Sequence, residues 1–120
     1  MRSERVRLED IAEAIVGIEQ TLAGADFEAF AGSWQMQRAI ERGLEIISEA
    51  SRGIGEVQKS AHPEVRWAQI SGIGNILRHE YHRVEATIVW NITQTHLPGL
   101  ALAVRRMLDA EDGLDLNAER

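Results

Sequence analysis

Residues 70–83 gather two of the chain's four histidines, its only tyrosine, two arginines and an asparagine. An imidazole has an ordinary pKa of about 6.5, so His79 could take up and return a proton at neutral pH as a general base or acid. Its neighbour Arg78 carries a planar fork of donors suited to a phosphate and to negative charge developing on oxygen. Arginine and histidine without a carboxylate cluster fit metal-independent cleavage of RNA, in which a ribose 2'-hydroxyl is activated to attack the adjacent phosphate. The plainer reading is a solvated helix face, since an exposed histidine is idle more often than catalytic. His79 and His82, three apart, could also meet one metal ion. Zinc requires three or four ligands, however, and no Cys and no well-placed Asp or Glu shares that face, so no metal and no cofactor is expected. Gly72-Ile-Gly74 lacks the preceding strand and following lysine of a phosphate loop.

A helix must position these groups. Counted from Gly74 at about 100° per residue, Ile73, Leu77 and Ile70 fall at about 260°, 300° and 320°, a narrow apolar stripe. Arg78, His82, Asn75 and His79 line the adjoining face at about 40°, 80°, 100° and 140°, with Tyr81 on the seam at about 340°. Pro63 suits the first turn of this helix. Gly72 and Gly74 each cost it about 1 kcal/mol relative to Ala, which close packing of a neighbouring backbone or room for a substrate would offset.

The rest of the chain supplies the packing. Leu8, Ile11, Ile15, Ile18 and Leu22 recur at steps of three and four, so residues 4–23 form an amphipathic helix with Ser3 as N-cap and Gly24 as stop. Asp26 caps a short turn carrying Phe27 and Phe30. Ser33 caps a longer helix striped by Met36, Ile40, Gly43, Ile47, Ala50 and Ile54, with Leu44 alongside. Gly43 in that stripe suggests close helix approach. Glu41, Glu45 and Glu49 read as a solvated face moderated by Arg38 and Arg42. Residues 55–62 are weakly periodic. Val84, Ile88 and Ile92 mark a further helix ending before Pro98, and Leu97, Leu100, Ala101, Val104 and Leu108 mark the last. No strand pattern competes. The expected fold is an all-α antiparallel bundle of four or five helices, a single domain over residues 1–108 followed by an acidic, frayed tail at 109–120. A surplus of apolar residues, including Trp34, Trp67 and Trp90, points to a homodimer.

The 120 residues suffice for one core without disulfides. A chain 44% hydrophobic and 27% charged is an ordinary globular one. No apolar run approaches a membrane span, residues 1–5 open a charged helix rather than a signal peptide, and there is no cysteine, so a cytoplasmic location without membrane association is expected. The net charge of -6 argues against broad nucleic-acid binding and leaves room only for a local site.

The run Gly74-Asn75-Ile76-Leu77-Arg78-His79-Glu80-Tyr81 resembles the Arg-x4-His-x-Tyr signature of HepT-like proteins, a branch of the HEPN superfamily. The likeness extends to Leu8-Glu-Asp-Ile-Ala-Glu-Ala-Ile, to the run from Ala39 to Ala50, to Trp67-Ala-Gln-Ile-Ser-Gly72, to Trp90 and to Leu97-Pro98, in the family's order. It implies a HEPN-like helical homodimer acting as the ribonuclease toxin of a toxin-antitoxin pair, with RNA as substrate. Its partner would be an MntA-like nucleotidyltransferase antitoxin that attaches AMP to the signature tyrosine. On these positions His79 is the acid or base, Tyr81 the AMP acceptor, and Asn75 the neighbour of the signature arginine's place, with His82 auxiliary. That arginine's own place is held by Gly74. Helical side chains lean toward the N-terminus, so Arg78, one turn later, can reach back over the space Gly74 leaves empty. The alternative is a non-catalytic dimeric subunit that docks the nucleotidyltransferase.

Overall fold

The computed structural model describes residues 3–79 and 85–118, with the side chains of 79 and 114–118 outside that description. Among the described residues the chain is all-α: α1 (Glu4–Leu22), α2 (Phe27–Ala31), α3 (Trp34–Ser51), α4 (Glu56–Ala61), α5 (Trp67–His79), α6 (Ala86–Thr95) and α7 (Leu97–Ala118). Two of these seven are short turns of helix, α2 and α4. The remaining five make up the bundle.

Each early helix starts where a side-chain oxygen can replace a missing carbonyl. Ser3 Oγ accepts from the Val6 N–H at 3.2 Å, Asp26 Oδ1 from Ala29 at 2.8 Å and Ser33 Oγ from Met36 at 3.1 Å. Beyond α1, Gly24 takes a φ of 74°, a conformation that turns the chain sharply at little steric cost only for glycine. Pro63 does not begin α5. It lies in a turn in which Val65 N–H bonds to the His62 carbonyl at 3.2 Å, and the helix starts at Trp67.

The core gathers on α3. Leu8, Ile11, Ile15 and Ile18 of α1 are buried against Ile40, Leu44 and Ile47, and Ile70, Ile73 and Leu77 of α5 close the other side. At Gly43 helix α3 comes close to α1, since a Cβ there would lie 2.8 Å from Ile18 Cγ1. Further along, α6 packs on α2, α3 and α7, burying Val89 and Ile92 and meeting α2 through Trp90, whose ring lies 5.9 Å from that of Phe27 and 5.6 Å from that of Phe30, while Leu100, Ala103, Val104 and Met107 bury the inner face of α7. Helix α7 runs on through the acidic stretch to Ala118, where fraying was expected from residue 109. Arg5 reaches it from α1, with Asp112 at 2.9 Å and Glu111 at 3.4 Å, which gives that stretch a tertiary partner. No helix among the described residues is long and apolar enough to cross a membrane.

Candidate active site

Helix α5 is fixed to α3 by a buried cluster of hydroxyls rather than by apolar contact alone. Ser48 and Ser51 of α3 are buried at 1% and 0% exposure, positions that must satisfy their hydroxyls inside the protein. Ser48 Oγ accepts from the Gly74 N–H at 3.0 Å and donates to the Ser71 carbonyl at 2.8 Å. Ser51 Oγ donates to the Ser48 carbonyl at 2.8 Å and lies 3.1 Å from Ser71 Oγ. Beside this cluster Arg52, at the end of α3, donates to the Ser71 carbonyl at 3.1 Å. The middle of α5 is therefore pinned at Gly74, one turn before the histidine and arginine pair.

The apolar periodicity of Ile47, Ala50 and Ile54 does not reveal these serines, whose hydroxyls lie between the stripe residues. The available signal was a pair of serines at i and i+3, one turn beyond Leu44, where a helix so apolar should place Leu or Ala.

Above Gly74 lies Arg78. Its guanidinium turns back toward the start of α5, and Nη1 stands 3.1 Å from the point a Cβ on Gly74 would occupy. Ser48 Oγ lies 3.2 Å from that same point. A side chain at residue 74 would thus compete with the guanidinium for one space. Asn75, exposed on the next ridge, accepts a hydrogen bond from Arg78 Nη2 at 2.7 Å through Oδ1 and holds the fork in place. Among the described residues no carboxylate pairs with Arg78, whereas Arg5, Arg38 and Arg42 all carry acidic partners. The result is an exposed cation, oriented by a neutral amide, with donors left over for an anion. Gly72, by contrast, faces open space and is not required by packing.

Gly74, Asn75 and Arg78 thus lie together. His79 occupies the last residue of α5, directly after Arg78. Tyr81 and His82 lie outside the described residues. Among the described residues no group of three or more His, Cys, Asp or Glu is placed to hold a metal ion. What the arrangement offers chemically is an oriented guanidinium able to stabilise negative charge on an anion.

Residues 11–107 match the family described as "Ribonuclease HepT-like". A "Probable ribonuclease HepT" of Thermococcus cleftensis is 38% identical over 82% of this chain and 90% of its own length. A "Putative RNase" of Caldanaerobacter subterraneus subsp. tengcongensis is 32% identical over 92% of this chain and 99% of its own. Another of that description, from Methanocaldococcus jannaschii, is 31% identical over 81% and 89%. No solved structure gave a significant match.

Proposed function

Since this chain belongs to the HepT-like ribonuclease family, we propose that it is the RNA-cleaving toxin subunit of a toxin-antitoxin pair, with Arg78 standing in for the signature arginine that Gly74 replaces. The observation that carries this reading is the Arg78 guanidinium lying 3.1 Å from the missing Cβ of Gly74. That places a charge near the space a side chain at residue 74 would enter. Asn75 steadies it at 2.7 Å.

In the proposed reaction His79 takes the proton of a ribose 2'-hydroxyl as that oxygen attacks the neighbouring phosphorus. Arg78 donates to the non-bridging oxygens while negative charge builds on them. The bond to the 5'-oxygen breaks, that oxygen takes a proton, and the products are a 2',3'-cyclic phosphate and a free 5'-hydroxyl. In a homodimer a second His79 supplies the proton for the leaving oxygen. Tyr81 is the proposed acceptor of AMP from an MntA-like nucleotidyltransferase, a modification that would add negative charge two residues from His79 and oppose the binding of RNA. His82, one turn beyond Arg78, is auxiliary.

Gly74 itself favours a second reading, a catalytically silent subunit that docks the nucleotidyltransferase. Induced expression of the wild type and of His79→Ala separates the two. Growth arrest with fragmented RNA for the wild type alone supports the nuclease, and equal harmlessness of both supports the docking subunit. Co-expression with the antitoxin should add an AMP-sized mass to the peptide bearing Tyr81.

A further inference from the structure

At the start of α5, an open pocket of about 380 Å³ lies between that helix and α4, lined by Glu56, Lys59, Ser60, Pro63, Trp67 and Ser71. We propose that this pocket is a subsite for single-stranded RNA flanking the scissile phosphate, with one base stacked on Trp67 and the strand's phosphates met by Lys59 and Arg52. The inference rests on the nuclease reading above.

Four observations carry it. The Trp67 indole is anchored by its edge, Nε1 donating to the His62 carbonyl at 3.1 Å, so its one polar group is satisfied, and the half-buried ring packs on the core while lining the pocket. Over that ring, 5.9 Å from its centre, stands the ammonium of Lys59, the chain's single lysine. An aromatic face beside a cation is the combination that binds single-stranded nucleic acid: every base stacks, and every base brings a phosphate.

The third observation is alignment. Trp67, Ser71, Gly74 and Arg78 fall within about 60° of one another on α5, so the pocket and the proposed phosphate site lie toward the two ends of the edge along which α5 is bonded to α3 at Ser71 and Gly74, about 16 Å apart along the helix axis. Arg52 reaches that edge midway, at the Ser71 carbonyl. Finally, among the described residues none of Lys59, Arg52 and Arg78 is ion-paired, although the chain carries a net charge of -6. Three cations without a carboxylate partner, one each from α4, the end of α3 and α5, give a local positive patch in an otherwise acidic protein.

Equilibrium binding of a fluorescent ten-nucleotide single-stranded RNA to full-length protein tests the subsite, with cleavage blocked by His79→Ala in every sample. Trp67→Leu should weaken binding about tenfold, and Trp67→Tyr, which keeps a stacking ring, should recover most of it. Lys59→Ala, on a short surface helix, should weaken binding and lower the slope of log Kd against log salt by about 0.7, while Trp67→Leu leaves that slope unchanged. Thermal melting checks that the variants are folded; if Trp67→Leu is not, Lys59→Ala and Arg52→Ala decide. Wild-type affinity in Lys59→Ala and in the folded Trp67 variant overturns the subsite, as does no binding of the oligonucleotide at all or displacement by free AMP as effective as by unlabelled RNA. The nuclease reading is tested separately by cleavage with His79 intact. RNA cleaved with unchanged affinity in the variants sinks the subsite alone, and absence of cleavage sinks the nuclease whatever the affinities.

Discussion

At residue 74 a glycine does what its chemistry permits, which is to make room. The guanidinium of Arg78 fills that room, with Nη1 at 3.1 Å from the absent Cβ and Nη2 on Asn75 at 2.7 Å. The reach of Arg78 was legible in the sequence because side chains on a helix lean toward its N-terminus. The bond to Asn75 was not, since i and i+3 neighbours can equally turn to water. If the cation and not its point of attachment matters, Arg78→Ala should cut RNA cleavage about 10²- to 10³-fold, the usual loss for one donor to developing charge. Returning an arginine to the vacated space in Gly74→Arg/Arg78→Ala should restore much of that rate. In Gly74→Arg alone, the new side chain meets the Arg78 guanidinium and Ser48 Oγ, 3.1 and 3.2 Å from its Cβ. Initial rates on a fixed oligoribonucleotide measure all three. A double variant as inactive as Arg78→Ala would show that the position, not the charge, had been lost.

Helices whose stripes hold large apolar residues were readable, and the joints between helices were not. The α1 stripe Leu8, Ile11, Ile15 and Ile18 is buried throughout, as is the α5 stripe Ile70, Ile73 and Leu77. The hydroxyl cluster of Ser48, Ser51 and Ser71 went unread because a serine's type does not reveal whether water or another helix satisfies it. The start of α5 was misplaced for a related reason: Pro63 is compatible with a helix's first turn and with a loop, and the bond from Trp67 Nε1 to the His62 carbonyl, a contact five residues apart, accompanies the loop. A glycine within the apolar stripe of α3 signals close approach, and Gly43 sits against Ile18 of α1. Gly43→Ala should therefore cost about 1 to 3 kcal/mol in denaturant unfolding, because its Cβ would press on the buried Ile18 at 2.8 Å. In the loop before α5, Glu64 has its pKa lowered from 4.5, first by a hydrogen bond to its own backbone and then by His62 against an opposing effect of burial. A lowered folded-state pKa gives stability present above the unfolded value and lost as pH falls through the folded one. The Glu64 carboxyl should titrate below 4.5 by NMR, and Glu64→Gln should leave this small stabilisation absent at neutral pH.

At the scale of the whole molecule the question is what covers the apolar side chains that the bundle leaves outside. Ile76 of α5 and Ile88 of α6 are 40% and 38% exposed, and they flank the segment that carries Tyr81 and His82. Burying both against a second copy of the chain would bring two Arg78-His79 pairs near one axis, the arrangement in which one histidine takes a proton and the other returns it. Val57 on α4 is a ready control, being 87% exposed and on a different element. Sedimentation of the wild type should give twice the chain mass. Ile76→Glu should shift the protein to monomer and remove RNA cleavage in the same concentration range, since a buried carboxylate without a partner is costly enough to open an interface. Val57→Glu should do neither. A monomeric Ile76→Glu that still cleaves at the wild-type rate would place the whole reaction within one subunit, and the proton for the leaving oxygen would then have to come from water or from this chain alone.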